Sequence, residues 1–201
     1  MRRALAVLAC VGCVAACTPL QPAPAEPESI FLLEDRPEGD SPHPKAGPVI
    51  EVTLPRARAG FDTDQMVYTR RTDQIEYFSR NRWADTPARM LAPALAHAIE
   101  RSGAFRAVVR DPNSVHTDLR LDTELVRLQQ NFNTHPSRIE IEVRVLLVGS
   151  TPPDTLAMAR FEESEEATSD DPYGGVQAAN RALSRLVRRV AQFCVAQVSP
   201  Q

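Results

Sequence analysis

Apolar and polar residues alternate along several segments of the chain, which is the period expected of a half-buried β-strand. The clearest case is Arg138–Val148, where isoleucine, valine and leucine occupy every second position and charged residues fall between them. This pattern predicts a sheet with one buried face and one solvated face. We expect further strands at Ser29–Asp35, Val49–Leu54, Ala104–Val109, Thr117–Phe132 and Leu156–Glu162.

A β-hairpin is predicted in residues 65–79. Two runs rich in aromatic and β-branched residues, Met66–Arg70 and Ile75–Ser79, flank the polar segment Arg71–Gln74, which has the composition of a turn. A second turn, Asn133–Pro136, joins the two longest predicted strands.

Two segments have the helical period instead. The first is capped by Asp85 or Thr86, carries Pro87 in its first turn, and ends at Gly103. The second, Tyr173–Gln197, places apolar residues at helical spacing along its whole length. The order strands, helix, strands, helix predicts an α+β fold, with an antiparallel β-sheet and two main helices packed on one face.

The N-terminus follows neither period. Met1–Arg3 is a short positive start, and Ala4–Ala16 is an unbroken run of small and apolar residues. Thirteen residues are too few to span about 30 Å of hydrocarbon at about 1.5 Å per residue. A positive start followed by a short apolar core is typical of a secretory signal peptide.

Two ends of this signal peptide compete. Cleavage after Ala25 would follow a small-x-small site, but that site lies well beyond the apolar core. Val14–Cys17 (VAAC) matches the bacterial lipobox and follows the core directly, whereas Cys10 and Cys13 would leave the core very short. We therefore expect Cys17 to carry the lipid, in the form of acyl chains such as palmitate.

This assignment divides the chain into a signal peptide (1–16), a lipidated cysteine with a proline-rich tether (17–29) and a single α+β domain (30–201). The acyl chains would hold the mature protein on a membrane. Thr18 follows the cysteine, rather than the aspartate that favours retention at the inner membrane. We expect an outer-membrane location, with the domain facing the periplasm.

Composition excludes some partners. The formal net charge of the 201 residues is −3, and the basic residues are scattered, so no basic stripe for nucleic acid is expected. After signal cleavage, Cys194 is the only unmodified cysteine, and we expect it to be buried on the stripe of the last helix.

Catalytic and metal-binding signatures are also missing from the sequence. The four histidines show no metal-ligand spacing, and the acidic run Glu162–Glu166 lacks the alternation of a calcium loop. No nucleophile with a neighbouring base can be named. We therefore expect no catalytic residue, no metal and no cofactor.

Aromatic residues cluster in and after the predicted hairpin. One interpretation is that they pack the hairpin against the first helix. The other is that Tyr68, Tyr77 and Trp83 form an exposed edge that binds a protein partner. The sequence leaves both interpretations open.

Several segments together resemble the ABC-type transport auxiliary lipoprotein family, which includes the paraquat-inducible lipoprotein of intermembrane transport systems. They are the lipobox, the FLL of the first strand, MVYTRRTDQIEYFSRNRWADTPARMLAPALAHAIERSGAF, and DPYGGVQAANRALSRLVRRVAQF. The most specific positions are Tyr68, Tyr77, Trp83, Pro87, Leu91, Leu95 and Gly103.

The resemblance implies a non-enzymatic accessory of a lipid transport system. Its expected partners are a substrate-binding protein of the mammalian-cell-entry type and the ABC permease and ATPase of that system. The lipoprotein would dock to the transport conduit, and a ring around the conduit would make it a homo-oligomer. The alternative is a lipid- or glycan-binding lipoprotein that acts alone or in envelope assembly.

Overall fold

The computed structural model describes residues 27–35, 46–110, 115–150 and 153–198. The predicted signal peptide, Cys17 and the tether up to residue 26 lie outside this part of the chain, as do residues 36–45, 111–114, 151–152 and 199–201. Within the described residues, no helix combines the length and apolarity needed to cross a membrane.

The described residues form nine strands and two helices, in an order close to that predicted. The elements are β1 (Ser29–Phe31), β2 (Val49–Val52), β3 (Arg56–Ala57), β4 (Gln65–Arg71), β5 (Gln74–Trp83), α1 (Pro87–Arg101), β6 (Ala107–Val109), β7 (Leu119–Asn131), β8 (Arg138–Ser150), β9 (Pro153–Glu166) and α2 (Pro172–Val198).

All nine strands belong to one sheet centred on β7. Along one edge β7 pairs antiparallel with β8, which pairs antiparallel with β9. Along the other edge β7 pairs in parallel with β2, β3 and β4 in turn. Strand β5 is antiparallel to β4, whereas β1 lies parallel to β5 and β6 parallel to β2.

The predicted α+β class is confirmed, and the sheet is mixed rather than wholly antiparallel. The pairs β7–β8, β8–β9 and β4–β5 are antiparallel, and the other pairs, including β4–β7, are parallel. Parallel pairs join segments that are distant in sequence, so no local turn signal reveals them.

The core lies between one face of the sheet and the two helices. Every second residue of β8 from Ile139 to Leu147 is buried, as the alternation predicts. Helix α2 contributes a continuous apolar stripe that includes Leu183, Leu186 and Cys194. These side chains pack against the sheet in one cluster, so the fold has a single core.

Helix α1 begins and ends as predicted. Thr86 is its N-cap residue and Pro87 its first residue, and the helix continues through Pro93. Gly103 follows the helix with a φ of 68°, in the left-handed region that glycine adopts without strain.

Candidate functional site

Three aromatic rings cluster where the hairpin β4–β5 meets the end of β7. The rings of Tyr68 and Phe78 have centroids 4.5 Å apart, and Phe132 lies edge-on, 5.9 Å from Tyr68. The Tyr68 hydroxyl donates a hydrogen bond of 3.0 Å to Glu76 Oε2. Each ring is therefore held by two others or by a polar partner, which fixes the shape of this surface.

A charged pair lines the rim of this aromatic cluster. Arg70 forms an ion pair with Glu76 and its guanidinium lies 5.4 Å from the centroid of the Tyr68 ring. The hydrogen bond from Arg70 lowers the pKa of Glu76, and burial raises the pKa of Tyr68. At neutral pH the cluster therefore presents a neutral phenol between a carboxylate and a guanidinium.

The opposite face of the hairpin borders a polar cleft of about 600 Å³. Ile75 and Tyr77 are exposed on this face, although most large apolar residues in the described part of the chain are buried or partly buried. Ile75 lines the cleft, and the Tyr77 hydroxyl donates to the carbonyl of Gly60 over 3.3 Å. The hairpin thus presents aromatic or apolar side chains on both faces.

The floor of the cleft is a network of paired charges. Arg127 reaches Glu142 over 3.3 Å and Glu162 over 2.7 Å, while Gln129 and Asn131 donate their amide protons to Glu140. Glu142 is buried and also pairs with Arg160, as a buried carboxylate requires. The carboxylates of Glu140 and Glu142 are therefore paired, while Arg127 Nε is buried without a hydrogen-bond partner among the described residues.

The structure separates the three aromatic residues that the sequence singles out. Tyr68 and Tyr77 lie on opposite faces of the hairpin. Trp83, at the end of β5, is only 4% exposed and packs in the core. For Trp83 the geometry matches the packing interpretation, and its side chain is not accessible to a partner.

Two residues of this surface are missing from the sequence-based set. Phe132 directly follows β7, and its ring completes the cluster through a strand pairing between distant segments. Ile75 occupies a strand position in an apolar run, where burial is the usual outcome. No local pattern in the sequence indicates that Ile75 is exposed, and none indicates that Phe132 contacts the hairpin.

The described residues contain no group of three or more histidine, cysteine or acidic side chains placed to hold a metal ion. The hairpin and most of the fold described above lie within residues 31–191, which match a known protein family. The family model described as "ABC-type transport auxiliary lipoprotein component" matches residues 31–191. The chain belongs to this family.

Solved structures share the fold of this auxiliary lipoprotein. Protein XCC0632 from Xanthomonas campestris, which carries the DUF330 family model, superposes with a TM-score of 0.75 at 19% identity, over 84% of this chain and 95% of that one. Hypothetical protein CT253 from Chlamydia trachomatis superposes with a TM-score of 0.58 at 9% identity, over 76% and 98%. At such identities the likeness shows the fold alone. No curated protein matches the sequence.

Proposed function

We propose that this auxiliary lipoprotein is anchored in the outer membrane through Cys17 and docks to the periplasmic conduit of an intermembrane lipid transport system. Its partners are a substrate-binding protein of the mammalian-cell-entry type and the associated ABC permease and ATPase. Family membership, the lipobox and the short tether support this proposal.

The observation that carries the docking role is the hairpin. Interfaces concentrate their binding free energy in aromatic and arginine anchors that are rigid before the partner arrives. Tyr68 is fixed by Phe78, Phe132 and Glu76, and exposed Tyr77 stands on the other face. The hairpin therefore offers preorganised anchors at the surface of the molecule.

The proposed role is binding and not catalysis. The two glutamates on the floor of the adjacent cleft, Glu140 and Glu142, are paired with Gln129, Asn131 and Arg127. A ring of copies around the conduit stays a prediction.

One feature favours the alternative of a lipid-binding lipoprotein that acts alone. A groove of about 500 Å³ runs between α1 and α2, with Ala98, Ala191 and Val195 in its lining. Arg188 also borders it and would complement an anionic headgroup, whereas Arg101 on the same border is ion-paired with Asp35 over 3.0 Å. The interior between the helices and the sheet is filled by buried side chains, so the groove is a surface feature.

Photo-crosslinking from the hairpin in intact cells tests the docking role. A photoreactive amino acid in place of Tyr77 should capture the mammalian-cell-entry-type protein, identified by mass spectrometry. The matched control replaces Met158, which is exposed on β9 at the opposite edge of the sheet. Equal capture at both positions would contradict docking through the hairpin. Recovery of the protein alone with phospholipid bound would support the alternative.

A further inference from the structure

Three large apolar side chains are exposed around one cleft, two of them near the start of the described chain and the third in the first turn of α2. Ile30 is 67% exposed, Leu32 is 52% exposed and Tyr173 is 59% exposed. They border a shallow cleft of about 640 Å³ between β1 and the first turns of α2. We refer to these three residues as the β1 patch. A group of large apolar residues at the surface of a soluble domain indicates a contact with something apolar.

The β1 patch is a fixed part of the fold. Strand β1 pairs with the end of β5 from Asn81 to Trp83. Asn180 on α2 holds the next residues, because its side chain accepts from the Glu34 amide over 3.1 Å and donates to the Leu32 carbonyl over 3.4 Å. The ring of Tyr173 lies 6.4 Å from that of Phe31, centroid to centroid.

Two charged residues close to the β1 patch are paired within the molecule. Glu28, just before β1, forms an ion pair with Arg82. Arg181, which lines the same cleft, pairs with Glu165 over 2.7 Å. These pairs reduce the net charge beside the apolar surface, which suits a layer of largely zwitterionic headgroups.

The chain outside the described residues connects this patch to the lipid anchor. Nine residues lie between Cys17 and Pro27, where the described chain begins two residues before β1. A proline-rich segment extends by about 3.1 Å per residue, so at that extension the start of β1, twelve residues on from Cys17, lies within about 37 Å of the anchored cysteine. At that range the patch meets the bilayer in an intramolecular step, and even a weak contact becomes populated.

We infer that the β1 patch rests on the bilayer that holds the anchor. The inference depends on the lipidation of Cys17 in the proposed function. Ile30 and Leu32 would lie among the headgroups and upper acyl segments, and the Tyr173 ring would lie at headgroup level, where amphipathic aromatic rings are favoured. The occupant of the patch is therefore the lipid surface itself.

This contact would orient the domain on the membrane. Strand β1 pairs with the end of β5, while the hairpin turn lies at the start of β5, eight residues from Arg82 to Gln74. At about 3.3 Å per residue that separation is about 26 Å. The patch on the bilayer would therefore direct the hairpin turn, and the proposed docking surface, away from the membrane.

Fluorescence quenching on the lipidated full-length protein tests the inference. Ile30→Cys carries an environment-sensitive dye, and the protein is reconstituted into vesicles of phosphatidylethanolamine and phosphatidylglycerol that contain headgroup-labelled quencher lipid. Met158→Cys, 64% exposed at the opposite edge of the sheet, is the matched control. Cys194 is buried, which keeps the native thiol out of the labelling reaction.

We expect at least a twofold stronger quenching at residue 30 than at residue 158. Adding Leu32→Asp to the Ile30 variant should remove the difference while the protein stays with the vesicles. Vesicle-bound protein with equal or absent quenching at residue 30 would overturn the membrane contact alone and leave the patch for a protein partner. Protein that does not partition with the vesicles would overturn the anchor, and the inference with it.

Discussion

At the scale of single residues, Cys194 shows how burial determines reactivity. Its side chain is fully buried on the apolar stripe of α2, and burial raises the pKa of the thiol to about 12. The thiolate is the nucleophilic form, so the native thiol should react with maleimide far more slowly than the unfolded one. Comparison of labelling in buffer and in urea checks this. Equal rates under the two conditions would contradict the burial.

Asp170 makes the stability of the folded protein depend on pH in the acid range. Its carboxylate accepts from the Ser137 amide over 2.6 Å and contacts His135 Nδ1 over 3.0 Å. The bond from Ser137 and then that from His135 lower the pKa of Asp170 from 3.8 to about 2. A pKa that is lower in the folded state adds stability above pH 3.8, and this contribution disappears as the pH falls towards 2.

Asp170→Asn should therefore flatten the acid limb of the stability profile. Its melting temperature should lie below that of the natural protein at pH 7, and the two curves should converge near pH 2. Asp154→Asn, at the exposed start of β9, is the control and should leave the curve in place. Parallel curves for Asp170→Asn and the natural protein down to pH 2 would rule out the coupling.

Gly175 allows a close approach between α2 and β7. The buried Gln130 side chain donates to Ser137 Oγ over 2.9 Å and to the Asp171 carbonyl over 3.1 Å, and its Oε1 lies where a Cβ on Gly175 would stand. Gly175→Ala would gain up to about 1 kcal/mol of helix propensity. Displacement of buried Gln130 would cost more, about 1–3 kcal/mol for overpacking and additional losses from its hydrogen bonds.

Urea unfolding checks this, with a net loss of about 1–2 kcal/mol expected for Gly175→Ala. Gly149→Ala is the matched control, because an added Cβ there has neighbours no closer than 3.9 Å. That control should stay within about 0.5 kcal/mol of the natural protein. The same urea midpoint for Gly175→Ala and Gly149→Ala would show that Gln130 can change position without a loss of unfolding free energy.

At the scale of elements, α2 protects the outer edge of β9. An edge strand leaves backbone groups unpaired and can recruit another chain. Arg189, Arg185 and Arg181, one turn apart on α2, donate to backbone carbonyls of β9 at every second residue. The acceptors are the carbonyls of Glu162, Ser164 and Glu166, at 3.1, 3.2 and 2.9 Å. The same guanidiniums pair with Glu163 and Glu165, and the bond from Arg181 lowers the pKa of Glu165.

Arg185→Ala should weaken this protection. It removes the partner of the Ser164 carbonyl and two ion pairs, with Glu163 and Glu165, at a cost of about 1 kcal/mol in unfolding free energy. Uncovered backbone should also increase self-association, measured by analytical ultracentrifugation. Arg188→Ala, beside the groove between the helices, is the control. Matching stability and sedimentation for the two variants would show that the edge is protected by other means.

The periodicity of the sequence was sufficient to predict most strands and helices, but it did not predict which strands pair with one another. The hairpin, α1 and the buried face of β8 follow from local period and from cap residues such as Pro87 and Gly103. Strand β9 is longer than the predicted Leu156–Glu162, because pairing with β8 extends it at both ends. The acidic run Glu162–Glu166 is part of that strand and is paired with arginines. Burial of Trp83 likewise depends on packing between distant segments, which no local pattern encodes.

At the scale of the whole molecule, the two ends of β5 have different roles in the proposed function: one lies on the membrane side, and the other carries the docking surface. One end adjoins β1, where the tether enters the fold, and the other carries the hairpin turn. An anchored protein with its hairpin directed into the periplasm would present a fixed docking surface at a defined distance from the membrane. This arrangement depends on the cysteine that carries the anchor.

Cys17→Ala should therefore release the protein from membranes. The three acyl chains expected on Cys17 would contribute about 0.8 kcal/mol for each buried methylene, and their loss would remove that binding free energy. The measurement is membrane fractionation together with palmitate labelling in cells. Cys13→Ala, which changes a cysteine inside the predicted signal peptide, is the matched control and should remain labelled and membrane-bound. Loss of labelling only in Cys13→Ala would move the modified residue and shorten the signal peptide. Retention of Cys17→Ala on membranes would exclude the lipobox as the origin of the anchor.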